Sequence, residues 1–203
     1  MSNVVQKSGR TGRPPGFDQE RVIEAARDLF WLKGLAGTSY EELTLATGLH
    51  RPSIHAAFGD KRGLFRAALA RYLRDSASMV ADALSRSTLA EAMDAFFAAD
   101  LALFVVAGNG RGCYALGVAA EAGRSDPELA EIEGAAWRNL AGAISDRIER
   151  APRREVPGGL DRALLTDLVL ATHATVATRA RAGESVDQLQ ARVTRFLRLF
   201  SDA

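Results

Sequence analysis

Apolar residues recur three and four positions apart along most of the chain, and this spacing predicts amphipathic helices rather than strands. In the first helical segment the apolar stripe comprises Val22, Ala26, Leu29 and Phe30. Asp18 precedes the stripe at the N-cap position, and Gly34 follows it where a helix would end. The pattern therefore predicts a first helix between residues 18 and 34.

Two short helices are predicted next. Thr38 and Ser39 each have a glutamate three residues later, which gives overlapping capping boxes for a helix that a glycine ends. The following helix has Pro52 in its first turn. Within it, Ile54 and Phe58 stand four apart on one face, so we expect this face to pack inward.

The rest of the chain keeps the helical spacing. It predicts a long fourth helix capped by Asp60, and later helices over residues 88 to 107, 113 to 122, 126 to 150, 160 to 182 and 186 to 201. The 37 alanines and 24 leucines far outnumber the 12 valines and 5 isoleucines, so strong helix formers dominate over β-branched residues. The expected fold class is all-α.

Charge is unevenly distributed along the chain. The whole sequence has 26 lysines and arginines against 25 aspartates and glutamates, and this net charge of +1 alone indicates no nucleic-acid partner. Residues 1–75, however, contain 12 basic and 8 acidic residues, whereas the remainder contains 14 and 17. Residues 1–17 contain three basic residues and no acidic one, so we expect a flexible basic arm there.

Targeting and redox features favour a cytoplasmic protein. The N-terminus lacks the apolar core of a signal peptide, and no uncharged apolar run approaches the roughly 18 residues that a membrane span needs. Cys113 is the single cysteine, so the sequence offers neither an intrachain disulfide nor a cysteine-rich metal site. We expect no metal, no cofactor and no membrane association.

Two short helices joined by a tight glycine-containing turn match a helix-turn-helix, whose second helix enters the major groove of DNA. Its outward positions would be Arg51, Ser53, His55 and Ala56. Lys61 and Arg62 follow at the start of the next helix, where cations oppose the helix dipole and therefore indicate an external anion. The same three-helix packing also occurs in proteins that never bind DNA.

A set of spaced residues in the N-terminal third carries a family resemblance: Gly12-Arg13-Pro14, Leu29-Phe30, Gly34, Thr38-Ser39, Leu43, Gly48, Ile54, Phe58 and Lys61. With these residues, the segment from about 13 to 72 resembles the DNA-binding domain of the TetR/AcrR family of transcriptional regulators. The resemblance implies a three-helix helix-turn-helix DNA-binding domain over residues 18–78. Residues 79–203 would form a larger helical domain for effector binding and dimerisation.

The resemblance also implies which residues meet DNA. The phosphate backbone would be held by Thr38, Ser39, Tyr40 and Lys61. Base edges would be faced by Arg51, Pro52, Ser53 and Ala56. The expected DNA-binding residues also include Arg13 and His55. Arg51 is the best candidate for a bidentate contact to guanine. The chain departs from the family at His55, where Tyr is usual, and at His50, where Ser or Thr usually caps the helix. Either one phosphate contact is weaker or pH-sensitive, or these histidines have no special role.

The first of the last two predicted helices has little polar face, and the second carries an apolar stripe. In TetR-like proteins the last two long helices pair with their symmetry mates, so the resemblance implies a homodimer on a palindromic DNA site. The interface would contain Leu168, Val169, Val176, Val193, Phe196, Leu197 and Phe200. A monomeric core is the alternative.

By the same resemblance, the central helices should enclose a pocket for a small-molecule effector. Its expected lining is Phe97, Leu101, Phe104, Cys113, Tyr114, Trp137, Leu140 and His173. His173 is either a ligand contact or a hydrogen-bonded core histidine. Cys113 is either an inert thiol or a redox or electrophile sensor.

Two other functions compete with ligand-controlled DNA binding. Residues 110–115 fit the dinucleotide-binding pattern G-x-G-x-x-A, but that pattern needs a preceding strand within a parallel βαβ unit, and a helix is predicted there. The other alternative keeps DNA binding without any effector. Because the sequence has no metalloprotease, nucleophile-elbow or P-loop motif, we expect no enzyme.

The residues and the resemblance together predict a homodimeric transcriptional regulator, of a family whose members are usually repressors. It would release a palindromic operator when a small molecule binds the C-terminal domain. For this, the ligand must bind better to a dimer whose recognition helices are misplaced for DNA, and DNA must weaken ligand binding to the same extent.

Overall fold

The structure is a computed structural model that describes residues 17–106 and 108–200. The expected basic arm, apart from residue 17, lies outside the described residues, and so does Arg13. The N-terminal part contains α1 (Gln19–Lys33), α2 (Tyr40–Thr47), α3 (Arg51–Phe58) and α4 (Lys61–Leu84). These helices begin and end close to the predicted positions, because capping side chains and glycines stand at their ends.

One cap differs from the prediction. Of the two overlapping capping boxes, only the one between Ser39 and Glu42 forms at the start of α2. Thr38 is buried instead, and its hydroxyl donates a hydrogen bond to the carbonyl oxygen of Gly34 at 2.7 Å. His50 precedes α3 without a side-chain cap, as its imidazole is a poor substitute for Ser or Thr at this position.

The C-terminal part is also mainly helical. It contains α5 (Leu89–Phe104), β1 (Val105–Val106), β2 (Asn109–Gly110), α6 (Ala120–Gly123), α7 (Pro127–Arg150), α8 (Arg162–Arg181) and α9 (Val186–Leu197). A π-helical turn, Tyr114–Ala119, leads into α6, and 3-10 turns lie at Arg153–Glu155 and Arg198–Phe200. The prediction of an all-α fold class is confirmed, with β1 and β2 as a minor addition.

The helix predicted over residues 88 to 107 is too long. It ends at Phe104, after which β1 and β2 form a short antiparallel hairpin that pairs Val105 with Gly110. Gly108 has a φ of +77°, and a Cβ on Gly110 would lie 1.9 Å from the carbonyl oxygen of Ala180. The hairpin therefore forms where two β-branched residues meet a glycine-rich turn that packs tightly against α8.

Helix α4 connects the two parts of the molecule. Its first half packs against α1 and α3 around Phe30, Ile54 and Phe65, and its second half packs against α5 and α7. The domain boundary expected after residue 78 falls within this helix. In the described ranges, no helix is long and apolar enough to cross a membrane.

Candidate DNA-binding surface and ligand cavity

Helix α3 presents an exposed outer face. The expected DNA-facing residues on this helix are all exposed: Arg51, Pro52, Ser53, His55 and Ala56. On the opposite face Ile54 is fully buried, and Gly48, with a φ of +73°, makes the turn that separates α3 from α2. The helix is therefore fixed by its inner face and free to contact another molecule with its outer face.

Tyr40, at the start of α2, organises this surface. Its ring is stacked with the imidazole of His55 at a centroid distance of 5.8 Å, and the Arg51 guanidinium lies 4.6 Å from the ring centroid. The Tyr40 hydroxyl accepts a hydrogen bond from the backbone N–H of Lys61 at 3.1 Å and lies 3.4 Å from Nε2 of His55. One aromatic ring thus joins the starts of α2, α3 and α4 into a surface with two cations.

The phosphate-binding role expected for the Thr38 side chain requires correction. This side chain is only 1% exposed, and its hydroxyl is engaged by Gly34, so it has no free group for DNA. Lys61 lies close by, where Nζ donates to the carbonyl oxygen of Thr38 at 2.6 Å. Ser39 is exposed, but its hydroxyl accepts from the backbone N–H of Glu42.

Arg62 has a different partner from the one inferred from the helix dipole. It pairs with Asp126 at 3.2 Å, at the N-terminus of α7, and Arg66 pairs with Glu128 at 2.8 Å. These two pairs join the first turns of α4 to the first turn of α7. The cation at residue 62 therefore has a partner within the protomer, and its position at the start of α4 does not require an external anion.

A cavity of about 420 Å³ lies in the C-terminal part, enclosed by α4, α5, α7, α8 and the segment around Cys113. Its lining is mostly apolar and includes five of the eight expected pocket residues: Phe104, Cys113, Trp137, Leu140 and His173. Its volume suits a small organic molecule, and it is the cavity type in which such ligands bind.

Three expected pocket residues do not line the cavity. Phe97 packs edge-on against Phe196 of α9, with ring centroids 5.2 Å apart. Tyr114 is fully buried in an aromatic cluster with Phe65 and Trp31, and Leu101 is buried outside the cavity lining. These residues are core, because helical spacing marks an apolar face without showing which part of that face adjoins a void.

Sequence reasoning missed the α4 wall and one buried carboxylate. Tyr72, Leu73, Ser76 and Val80 of α4 line the cavity, as does Asp100 of α5. Oδ2 of Asp100 lies 2.7 Å from Nδ1 of His173, and both side chains are buried. A lone aspartate within the apolar run of α5 was the available signal, since buried carboxylates require a partner.

The Asp100–His173 pair shifts the titration of both groups. Burial raises the pKa of Asp100, and attraction to His173 offsets part of this change. For His173, burial lowers the pKa, but Asp100 and contact with Cys113 outweigh it and raise the pKa to about 10. Among residues 17–106 and 108–200, no three His, Cys, Asp or Glu side chains are arranged to hold a metal ion.

The dimer interface expected on α8 and α9 requires correction for four of its seven residues. Four of its residues are buried within the protomer: Val169, Val176, Val193 and Phe200. Three are half-buried: Leu168, Phe196 and Leu197. The outer surface instead exposes Leu164, Val186 and Leu199, to 45, 45 and 40%. A helix that is apolar on all sides does not reveal from sequence which side faces its own core.

Comparison with known proteins identifies the family. A family model described as bacterial regulatory proteins, tetR family, matches residues 22–68. The HTH-type transcriptional repressor BdcR of Escherichia coli (strain K12) is 31% identical over 190 residues, which cover 92% of this chain and 91% of BdcR. The chain belongs to the TetR family.

Other TetR-family proteins are similar over nearly the whole chain. The HTH-type transcriptional repressor ComR of E. coli (strain K12) is 29% identical over 207 residues, covering 99% of this chain and 96% of ComR. A cysteine mutant of the TetR-family regulator CifR, complexed with a 26-base-pair operator DNA, superposes with a TM-score of 0.75 at 27% identity. That match covers 93% of this chain and 100% of the CifR chain. The resemblance inferred from the sequence is confirmed.

Membership of the TetR family identifies a transcriptional regulator rather than an enzyme. The dinucleotide-binding alternative fails on the structure as well. Residues 110–115 begin in β2 of the short antiparallel hairpin that follows helix α5, and the described part of the chain contains no parallel βαβ unit.

Proposed function

We propose that this TetR-family protein is a dimeric repressor that inserts α3 into the major groove of a palindromic operator. It leaves that operator when a small molecule occupies the cavity. The exposed outer face of α3, with Arg51 on the Tyr40 ring and Lys61 of α4 beside it, carries the proposal. The similarity to the repressors BdcR and ComR, and to CifR in its operator complex, supports it. Such a protein acts on the chromosome, in the cytoplasm.

Base recognition falls to α3 and backbone binding to its neighbours. Arg51 and Ser53 project from the first turn of α3, where side chains of a recognition helix meet base edges. Tyr40 and Lys61 flank them and contact phosphates, and Ser39 contributes its exposed edge at the start of α2. In this division, residues 18–78 bind DNA with the help of the basic arm at 1–17, and residues 79–203 bind the effector and the second subunit.

The second subunit packs against the outer surface of α8 and α9. Leu164 and Leu168 lie one turn apart on α8, and Leu199 follows α9. Leu164 and Leu199 are exposed and Leu168 is half-buried, and such apolar side chains form the surface that a two-fold interface uses on both partners. A dimer of this kind presents two copies of α3 to two half-sites of a palindrome.

Helix α4 connects the effector site to the DNA surface. Tyr72, Leu73 and Ser76 line the cavity, whereas Lys61 of the same helix supports Tyr40 on the DNA-facing side. A ligand that displaces the wall formed by α4 therefore changes the position of the DNA-binding helices. The presence of this cavity favours effector-controlled DNA binding over DNA binding without any effector.

Selection of DNA by the full-length protein from a pool of random duplexes tests the proposed function. We expect an enriched palindrome that binds far more tightly than a scrambled duplex of equal length, by about 10³-fold or more at one salt concentration. A promoter carrying the palindrome should be repressed when the protein is expressed. Enrichment of no sequence, or equal affinity for the scrambled duplex, contradicts specific DNA binding.

A further inference from the structure

Four buried polar side chains lie together in the lining of the mostly apolar cavity. They are Tyr72 of α4, Asp100 of α5, Cys113 and His173 of α8. Each comes from a different segment of the chain, and all four are buried. Binding of an apolar ligand alone does not require a thiol, an imidazole, a carboxylate and a phenol at one place.

Their arrangement is that of an activated nucleophile. Oδ2 of Asp100 engages Nδ1 of His173 at 2.7 Å, which leaves Nε2 as the ring nitrogen available to the neighbouring thiol of Cys113. The hydroxyl of Tyr72 lies 3.3 Å from Sγ of the same cysteine. A nucleophile beside a histidine that a third group orients is a geometry that activates side chains for covalent chemistry.

The side chains around the sulfur of Cys113 include one cation, His173, and one hydroxyl, that of Tyr72. Burial lowers the pKa of His173, but Asp100 and Cys113 have the larger effect and raise it to about 10. The imidazole therefore holds a proton next to Sγ. Burial raises the pKa of the Tyr72 phenol, and its contact with Cys113 raises it further, so the phenol remains a hydrogen-bond donor. An imidazolium and a donated hydrogen bond both stabilise a thiolate, which is the nucleophilic form of cysteine.

We propose that Cys113, assisted by His173 and Asp100, covalently binds small apolar α,β-unsaturated carbonyl compounds that enter the cavity, and that this adduct releases DNA. The inference deepens the proposed function and rests on it, since it names the effector class and its attachment point. The apolar lining selects an uncharged carbon skeleton, and the Leu103, Phe104 and Trp137 side chains supply much of this lining. Conjugate addition also suits a mostly apolar cavity because it expels no leaving group.

The proposed step conserves all atoms and electrons. The Cys113 thiol releases its proton to solvent, because His173 is already protonated, and Sγ attacks the β-carbon of the unsaturated carbonyl compound. A sulfur–carbon bond forms, the carbon–carbon π bond breaks, and its electron pair moves to the α-carbon through the enolate. The α-carbon then takes a proton from the His173 imidazolium, which regains one from solvent. The S–H group has been added across the double bond without any further oxidant or reductant.

Gly112, the residue before Cys113, connects the site of the adduct to the DNA-binding part of the chain. The carbonyl oxygen of Gly112 accepts a hydrogen bond from the indole N–H of Trp31 in α1 at 3.0 Å. Gly112 has a φ of +66°, and a Cβ there would lie 2.4 Å from the carbonyl oxygen of Ala177, so its backbone has little room to move alone. A group attached to Cys113 therefore acts on α1 through Gly112 and on α4 through Tyr72.

The experiment exposes full-length protein to cyclohexenone and follows the adduct by intact-protein mass spectrometry. We expect one adduct per chain, located at Cys113 by peptide mapping, and none with the saturated analogue cyclohexanone or in Cys113→Ser. His173→Gln should slow the adduct by about 10²-fold near pH 7 and make its rate rise with pH as for an ordinary thiol. Asp100→Asn should also slow adduct formation. Tyr72→Phe, which removes only the hydroxyl near Sγ, should slow it less than His173→Gln does.

DNA binding is measured separately on the palindrome that the untreated protein selects. The adduct should weaken binding by at least about tenfold in the wild-type protein, within the usual range of coupling between two sites, and cyclohexenone should not change the affinity of Cys113→Ser. Equal adduct rates in wild type and His173→Gln, or an adduct that leaves DNA affinity unchanged, overturn the proposal. If the untreated protein selects no DNA, the proposed function fails instead, while the adduct rates still decide the chemistry at Cys113.

Discussion

The indole nitrogen of Trp31 donates a hydrogen bond to the carbonyl oxygen of Gly112 across 3.0 Å, which joins α1 directly to the segment that forms the cavity wall. Two further contacts reinforce this junction. Arg181, at the end of α8, donates to the carbonyl oxygen of Trp31 at 3.2 Å, and Arg111 pairs with Asp28 of α1 at 3.0 Å. The DNA-binding part is therefore attached to the C-terminal part through α1 as well as through α4.

Trp31→Phe tests the strength of this junction. The substitution keeps an aromatic ring but removes the indole N–H, so the buried carbonyl of Gly112 loses its donor, and we expect the free energy of unfolding to fall by about 1–3 kcal/mol. Urea unfolding followed by circular dichroism measures the change. Leu32→Ala is the control, since Leu32 is 71% exposed on the same helix and its truncation should change stability by less than about 0.5 kcal/mol. Equal effects of the two substitutions would contradict a structural junction at Trp31.

Gly112→Ala tests whether close packing, rather than backbone conformation alone, fixes the junction. Gly112 and Gly159 both have positive φ, of +66° and +80°, but a Cβ meets the Ala177 carbonyl oxygen at 2.4 Å only in the first case. At Gly159 no atom lies within 4 Å of the added Cβ. We expect a loss of about 2–5 kcal/mol for Gly112→Ala, from strain and overpacking, against about 1–2 kcal/mol for Gly159→Ala, from strain alone. Thermal melting of both variants gives the comparison, and similar losses would show that packing at Gly112 is not limiting.

The helices of the N-terminal part were predictable because their limits are set locally. Asp18, Ser39 and Asp60 cap the helices that follow them, and Gly34 and Gly48 end the helices that precede them. Each of these interactions involves residues within one or two turns of each other, so the sequence contains both partners side by side. The exposed face of α3 was predictable for the same reason, from the spacing of its apolar positions.

The cavity and the subunit surface were less predictable because they depend on contacts between distant helices. Phe97 and Phe104 lie on the same helix and look equivalent in sequence, yet Phe97 packs against α9 and Phe104 faces the cavity. Val176 and Leu164 likewise both belong to the apolar surface of α8, but only Leu164 is exposed. Helical spacing marks apolar positions, and tertiary packing decides which neighbour or void each one meets.

Arg51→Ala and Lys61→Ala should weaken DNA binding in different ways. We expect Arg51→Ala to reduce discrimination between the operator and a scrambled duplex by about 1–3 kcal/mol, because a base contact is lost. Lys61→Ala should weaken binding to all sequences and flatten the salt dependence, because a phosphate contact is lost. Gel-shift titrations of both variants on matched and scrambled duplexes at two salt concentrations decide the point. Equal losses for both variants on both duplexes would contradict the assigned roles.

Leu164→Glu should separate the subunits. Leu164 is exposed on the outer surface of α8, and a carboxylate there would be buried without a partner in the two-fold interface. We expect the dimer dissociation constant to rise by at least about tenfold, which corresponds to about 1.4 kcal/mol. Analytical ultracentrifugation measures it. Leu32→Glu is the matched control, as it adds the same charge at an exposed leucine of α1, and a dimer that resists Leu164→Glu would place the interface elsewhere.

The Asp100–His173 pair predicts how stability depends on pH. The pKa of His173 is about 10 in the folded protein and its ordinary value is 6.5, so the folded chain holds this proton more tightly than the unfolded chain. The stabilisation is therefore complete below about pH 6.5 and is lost as the pH rises towards 10. In Asp100→Asn, burial acts on His173 without the opposing carboxylate, so its pKa falls and this slope disappears. Urea unfolding from about pH 7 to about pH 9 measures this dependence, and the free energy of unfolding should decline more steeply in the wild type than in Asp100→Asn. The control is His50→Gln, at an exposed histidine, which should keep the wild-type slope. Identical slopes in the wild type and Asp100→Asn would contradict a protonated His173 held by Asp100.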